Sequence, residues 1–188
     1  SKTEPIPVIL SDEQERVCRG ILALQAKGEA NCALLYGVTG SGKTQIYIKL
    51  IEQALLAGKT AMLLVPEIAL TPQLSARFVS LFGERTAVIH SGLSQADRLA
   101  AFERVKSGAA RIVIGTRSAV FSPLSDIGLI ILDEEGESSY KSDAAPRYHA
   151  RDIAKWRCGY HKATLLLGSA TPSVDSRFQA ERGRYHYF

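Results

Sequence analysis

Apolar and polar positions alternate along this chain with enough regularity to imply a layered fold. Apolar runs occupy 32–36, 60–65, 86–90, 111–115, 128–132 and 163–167, and stretches of helical period lie between them near 43–57, 72–82, 94–107 and 149–158. A further amphipathic helix precedes the first run, where Ser11-Asp12-Glu13-Gln14 leads into an apolar face through Val17, Cys18 and Ile21. Strand and helix alternate throughout, the pattern of an α/β protein with a mostly parallel sheet. Leu129-Ile130-Ile131-Leu132 and Leu165-Leu166-Leu167 are apolar at every position, as strands are when both faces are covered. The expected fold class is therefore α/β, a three-layer α/β/α sandwich. Residues 1–10 carry two prolines and no helical period, so they read as an extended lead-in segment or linker remnant before one domain spanning 11–188. The longest stretch without clear period, 133–148, is too polar for core and is a candidate functional loop.

In an open parallel sheet, ligands bind beyond the carboxyl ends of the strands, so the chemistry is expected just after each apolar run. After the first comes Gly37-Val38-Thr39-Gly40-Ser41-Gly42-Lys43-Thr44, which fits the phosphate-loop pattern G-x-x-x-x-G-K-[S/T] with a helix behind it. Gly37, Thr39, Gly40, Ser41 and Gly42 would line a concavity of backbone N–H groups around a triphosphate. Lys43 would reach the β and γ phosphates, and Thr44 would place its hydroxyl on magnesium. After 128–132 comes Asp133-Glu134-Glu135-Gly136-Glu137. Asp133 can hold hydrated magnesium and Glu134 can orient and polarise an attacking water; a solvated acidic loop is the plainer alternative. The run 163–167 ends in Gly168-Ser169-Ala170-Thr171-Pro172, where Ser169, Ala170 and Thr171 can sense a γ phosphate and pass on its presence, or simply start a helix. Gln14 either completes a capping box with Ser11 or reads adenine with its amide.

Three more strand-end loops, 66–73, 90–92 and 115–118, suit phosphate oxygens of a nucleic acid or a purely structural role. Thr71 reads as an N-cap before Pro72, Thr116, Arg117 and Ser118 offer hydroxyls and a guanidinium, and His90 reads as a structural histidine. Beyond the acidic cluster, Ser139-Tyr140-Lys141 and Pro146-Arg147-Tyr148-His149-Ala150-Arg151 interleave aromatic and basic residues. Bases can stack there at about 1–3 kcal/mol each, or the tyrosines can pack beneath a loop.

Composition alters the picture little. A chain of 188 residues, 46% hydrophobic, can bury one core without disulfides. Cys18, Cys32 and Cys158 are odd in number and too widely spaced for zinc, so they read as reduced thiols of a cytosolic, cytoplasmic protein. No apolar run approaches the ~20 residues needed to cross a bilayer, so no membrane partner is expected. A net charge of +4 and a pI near 9.0 lean mildly toward nucleic acid.

Taken together, G-V-T-G-S-G-K-T, V-P-E-I-A-L-T-P-Q, H-S-x-L-S, G-T-R-S-A-V-F-x-P, D-E-E-x-E-S-S-Y-K, P-R-Y-H-A-R-D and G-S-A-T-P-S resemble superfamily 2 DNA helicases, and among them the primosomal protein N′ (PriA) family of replication-restart helicases. The resemblance runs from about Ser11 to Tyr185. It implies the first of two RecA-like P-loop NTPase lobes of a 3′-to-5′ DNA helicase and translocase, an ATP hydrolase using ATP and Mg2+. The partners it implies are single-stranded or forked DNA, the second lobe, and the primosome and replicative-helicase-loading proteins. It assigns Gly37, Gly40, Gly42, Lys43 and Thr44 to nucleotide, Asp133 and Glu134 to magnesium and water, Ser169–Thr171 to coupling and Gln14 to adenine. It places Tyr140 to Arg151 in an aromatic-rich loop that links single-strand contact to hydrolysis. Where the family usually has D-E-E-H this chain has Gly136, which removes an imidazole between nucleotide site and coupling motif. The second lobe with its arginine finger, the cysteine-rich zinc segment and the fork-binding domain of the family are not in this sequence, so a nearly inactive fragment is expected. A P-loop phosphotransferase, and a nucleic-acid-binding module with a vestigial nucleotide site, are the alternatives.

Overall fold

A computed structural model describes residues 8–36, 40–170 and 174–188. In chain order they form α1 (Asp12–Gln25), β1 (Asn31–Tyr36), α2 (Gly40–Leu56), β2 (Thr60–Leu64), α3 (Pro72–Phe82), β3 (Thr86–Ile89), α4 (Gln95–Lys106), β4 (Ile112–Gly115), β5 (Ile127–Asp133), β6 (Lys141–Ser142), β7 (Tyr148–His149), α5 (Ala150–His161), β8 (Thr164–Ser169), α6 (Val174–Glu181) and β9 (His186–Tyr187). All six apolar runs are strands. They join β9 in a sheet of order β3-β4-β2-β5-β8-β1-β9, and every pairing in it is parallel. The short β6 and β7 pair antiparallel beside it.

Alternation along the strands fills two layers. Leu34, Met62, Leu64, Ile130 and Leu132 pack with Ala101 and Val105 of α4 and Ala154 and Cys158 of α5. Ala33, Leu35, Leu63, Leu129 and Ile131 pack with Ile21 of α1, Ile46 and Leu50 of α2 and Phe78 of α3. Each fully buried branched side chain contributes about 1.5–3 kcal/mol, so the completely apolar runs are what holds the helices on both faces. The expected three-layer α/β/α architecture is the one observed.

Local chemistry sets the helix ends. Thr71 caps α3, accepting a 3.2 Å hydrogen bond from the Leu74 amide, and Pro72 follows in the first turn. Gly83, with φ 62°, ends that helix in a left-handed conformation that favours glycine. The three cysteines are free; burial pushes the Cys18 thiol up to about 11 and the Cys32 thiol up to about 12, which keeps both unreactive near neutrality. No helix among the described residues is long and apolar enough to cross a membrane.

One feature of the topology positions the site. β8 lies between β5 and β1, and in the register Gly168 of β8 is flanked by Asp133 of β5 on one side and Leu35 of β1 on the other. The carboxyl ends of β1 and β5 are thus two strand spacings apart, about 10 Å, with the end of β8 between them.

Candidate functional site

Lys43 opens the long helix α2, and its side chain is only 2% exposed. The ammonium lies 3.2 Å from Asp133 Oδ1 and pairs closely with the Glu134 carboxylate. Burial by itself would lower the Lys43 pKa, but the two carboxylates overrule it and the net shift is upward. Lys43, Asp133 and Glu134, far apart in sequence, therefore form one charged junction at the carboxyl edge of the sheet. Glu134 adopts φ 49°, a left-handed conformation that costs a non-glycine residue about 1–3 kcal/mol. Such strain persists only where the surroundings fix the residue, here by the turn that swings its carboxylate over Lys43.

Two tyrosines hold the aspartate. Tyr47, one helical turn after Lys43, donates a 2.6 Å hydrogen bond to Asp133 Oδ1. Tyr140 donates to the Asp133 carbonyl at 2.6 Å and shares its hydroxyl with the Leu64 carbonyl at 3.0 Å, joining the ends of β5 and β2. Burial, then the nearby Asp133 charge, raises the pKa of both phenols, so each remains a donor at any working pH. Neither contact follows from the motif patterns alone. An aromatic residue four positions after the phosphate-loop lysine does, however, share its helix face, and that spacing was the available signal for Tyr47.

Gln14 completes the capping box, one of the two alternatives the sequence leaves open, and makes a second contact besides. Its Oε1 accepts from the Ser11 amide at 2.8 Å, completing the capping box, while its Nε2 donates to the Gly42 carbonyl at 3.3 Å. The α1 cap thereby touches the phosphate-loop helix. Gly37 and Thr39 lie outside the described residues, as does Thr171 of the coupling motif; Gly40 and Ser41 are described as backbone at the start of α2.

The acidic loop is tied to the end of β8 by its third acid, to which the sequence gives no role. Glu135 is fully buried; its amide donates to the Gly168 carbonyl at 3.1 Å, and its Oε2 accepts from Ser176 of α6 at 2.9 Å and faces Arg151 at 3.4 Å. Ser169 is buried at the end of β8, and Ala170 is exposed. This carboxylate links the acidic loop to α6 and α5.

His149 ends β7 and caps α5, accepting a 3.0 Å hydrogen bond at Nδ1 from the Arg151 amide. Burial, with the Arg151 charge beside it, lowers its pKa below the ordinary 6.5. Asp152, Glu135 and Lys141 also face it, the two acids opposing the shift and the lysine adding to it. A lowered folded value means that the unfolded chain binds the proton more readily. Stability is accordingly complete above 6.5 and declines as the pH falls from there through the lowered folded value. Urea melts between about pH 5 and 8 should show this decline, and His149→Asn, which keeps a cap acceptor that does not titrate, should flatten it.

The residues expected to face nucleic acid divide into two groups. Thr71, His90, Ser91, Gly92 and Thr116 line a cavity of about 400 Å³, and Arg117, Ser118 and Arg98 line a second of about 380 Å³ beside it. Lys141 and Arg147 are exposed. His90 is structural as expected, its Nδ1 accepting from the Gly92 amide at 3.0 Å. Tyr140 does not fit the base-stacking expectation: it is 0% exposed and belongs to the core, so its ring offers no face to a base. Arg151 is likewise turned inward to Glu135. Arg117 donates to the Ser139 and Lys141 carbonyls at 3.1 and 3.0 Å, with its guanidinium 5.9 Å from the Tyr148 ring centre. Tyr148 in turn packs edge-on against Phe121. Arg117 thus fastens the aromatic-rich loop to the turn after β4, a role closer to the packing alternative than to direct phosphate contact.

A cavity of about 400 Å³ opens next to the charged junction, lined among others by Thr44, Tyr47, Gln73, Arg77 and Asp133. Magnesium takes oxygen ligands, keeps several waters and commonly needs one or two carboxylates plus phosphate oxygens. Thr44 and Asp133 supply that chemistry at one wall, and Asp133 already accepts a cation in Lys43. The donor set fits the ion. Among the described residues there is no group of three or more His, Cys, Asp or Glu side chains that could hold a metal ion.

The family described as DEAD/DEAH box helicase matches residues 11–178. The replication restart protein PriA of Bacillus subtilis (strain 168) is 47% identical over 184 residues, covering 98% of this chain and 23% of that protein. PriA of Haemophilus influenzae is 49% identical over 157 residues, covering 84% of this chain and 22% of that protein. The chain thus spans about a quarter of the length of the curated relatives it matches. Among solved structures, RecG bound to a three-way DNA junction aligns over 95% of this chain and 23% of its own, with a TM-score of 0.70 at 23% identity. The Pyrococcus furiosus Hef helicase domain aligns over 94% of this chain and 37% of its own, with a TM-score of 0.62 at 19% identity. At these identities the two structures bear on the fold, which they share.

Proposed function

We propose, from the premise that the chain belongs to the DEAD/DEAH box helicase family, that it is the ATP-binding motor lobe of a replication-restart DNA helicase that moves 3′ to 5′ along single-stranded DNA. The observation that carries this is the loop following β5: Asp133 and Glu134 meet the phosphate-loop lysine, while the adjoining Glu135 is hydrogen-bonded to the end of β8 and to α6 and faces Arg151 of the aromatic-rich segment. Nucleotide and nucleic acid are then sensed by parts of one connected network. Magnesium, when bound, would supply neutralisation of phosphate charge. Lys43 would exchange the carboxylates for the β and γ phosphates, Thr44 and Asp133 would hold the hydrated ion, and Glu134, released from Lys43, would orient the attacking water. DNA phosphates lie along the adjoining cavities where Thr71, Thr116 and Ser118 line them, away from the Glu67 carboxylate that lines both and takes the Ser91 hydroxyl at 2.7 Å, with the exposed Lys141 and Arg147 adding positive charge.

The replication-restart assignment rests on the relatives' printed role and on the D-E-E-x-E-S-S-Y-K and P-R-Y-H-A-R-D stretches of this chain. Family membership favours it over a small-molecule phosphotransferase. An arginine supplied across such a cleft is typically worth about 10³–10⁵ in rate, so the lobe by itself should bind ATP and hydrolyse it very slowly. The test is made on the whole protein that carries the lobe. ATP hydrolysis should rise on adding single-stranded DNA, and duplexes with a 3′ single-stranded tail should be unwound faster than those with a 5′ tail. Equal unwinding from both tails would overturn the direction, and hydrolysis indifferent to DNA would overturn the motor.

A further inference from the structure

Tyr47 crosses the molecule at a narrow place. Its ring projects from α2, which follows β1, yet its hydroxyl ends 2.6 Å from Asp133 Oδ1 on β5, so it spans β8, the strand between them. The residue of β8 at that level is Gly168, paired with Asp133 in the register. A Cβ at Gly168 would overlap the Tyr47 hydroxyl oxygen and lie 3.0 Å from Asp133 Oδ1. Gly168 has no left-handed backbone to explain it, since it is absent from the residues of positive φ. What requires glycine here is the path of the tyrosine.

The partners of Asp133 Oδ1 differ in what nucleotide binding asks of them. Lys43 must leave the carboxylate to reach a phosphate; Tyr47, 1% exposed and packed in the core beneath the site, need not move. A carboxylate losing one of its donors would otherwise be free to rotate about its χ angles, and an ion that accepts little departure from octahedral geometry binds such a ligand weakly. A hydrogen bond from a neighbouring group that orients a metal-binding carboxylate commonly alters affinity about 10–100-fold.

We infer that Tyr47 is a positioning residue for Asp133, reaching it through the space left by Gly168, and that this pair sets the affinity of the nucleotide site for Mg2+. The inference rests on the nucleotide-site role proposed above. The Tyr47 hydroxyl is committed to Asp133 Oδ1, so its part is to orient that carboxylate.

The experiment measures equilibrium binding of a fluorescent ADP analogue to the whole protein, first in EDTA and then along a Mg2+ titration, for the unaltered protein, Tyr47→Phe, Gly168→Ala and the double variant. Tyr47→Phe should shift the Mg2+ midpoint upward roughly tenfold while metal-free affinity stays within about twofold. Gly168→Ala, which displaces the hydroxyl, should shift the midpoint at least as far. In the double variant the alanine should add less than it does alone, because the hydroxyl, the one atom it overlaps outright, is already gone while its 3.0 Å contacts to Asp133 Oδ1 and the ring remain, and this non-additivity marks the two positions as one device. Thermal melting alongside separates the effect from a packing role, which would lower Tm and leave the midpoint where it was. A Tyr47→Phe midpoint within about twofold of the unaltered protein overturns the inference, and should that variant not fold, an unshifted midpoint in Gly168→Ala does the same. If the unaltered protein shows no Mg2+-dependent binding at all, the nucleotide-site role itself is wrong and the inference falls with it.

Discussion

Replacing Lys43 with alanine should lower ATP affinity by about 100-fold or more, and hydrolysis with it. Two effects add. The phosphates lose charge-assisted hydrogen bonds, each worth about 1.5–3 kcal/mol, and every 1.4 kcal/mol is about tenfold in affinity. The Asp133 and Glu134 carboxylates, both held by Lys43 in this structure, then face an incoming polyanion without their cation. Titration with a fluorescent ATP analogue checks the first consequence, and a melt checks a second: two acids deprived of a buried partner should destabilise the nucleotide-free lobe. Unchanged affinity would mean that the phosphate loop is vestigial and that nucleotide plays no part in the work of this lobe.

Glu134→Gln is expected to separate binding from chemistry. In the whole protein kcat should fall by about 10²–10⁴, the usual contribution of a positioned general base, while ATP affinity holds or improves because one negative charge near the phosphates is removed. The glutamine keeps the size of the side chain and the same left-handed backbone, φ 49° at this position, so the fold should be spared. Its amide can still accept from Lys43, though without a full charge. Steady-state hydrolysis beside equilibrium binding resolves the two parameters. A kcat lowered less than about threefold would move the water-activating role elsewhere.

The fold was legible because its strands announce themselves. Runs such as Leu129 to Leu132 are apolar on consecutive positions, and only burial on both faces of a parallel sheet accommodates that. Thr71 before Pro72 gave the start of α3 for the same local reasons that hold in the structure. The pair β6 and β7, two residues each, and the terminal β9 carry no periodicity at that length and were not foreseen. In the site, the charged junction was readable from motif spacing, since Lys43, Asp133 and Glu134 each follow an apolar run whose end must face the same edge. What spacing does not encode is direction within a loop. Tyr140, Arg117 and Arg151 look alike in sequence to residues that grip a nucleic acid, because aromatic and basic side chains serve both purposes. Three-dimensional neighbours decide between them: the Asp133 and Leu64 carbonyls capture Tyr140, the Ser139 and Lys141 carbonyls capture Arg117, and the buried Glu135 draws in Arg151. Glu135 itself was hidden among acids of identical type, and only its burial separates it from Glu137, which is exposed.

The position of β8 also constrains how the lobe is assembled. It is the last long strand in the chain, yet it lies between β1 and β5, so β1 has no hydrogen-bonded link to the half-sheet of β3, β4, β2 and β5 until residues 164–169 take their place. Lys43 and Glu134, 91 positions apart, meet across this strand. Truncation before residue 164 should therefore leave β1 and β5 with no strand hydrogen-bonded between them, and the junction of Lys43 with Asp133 and Glu134 without the backbone that spaces its two sides.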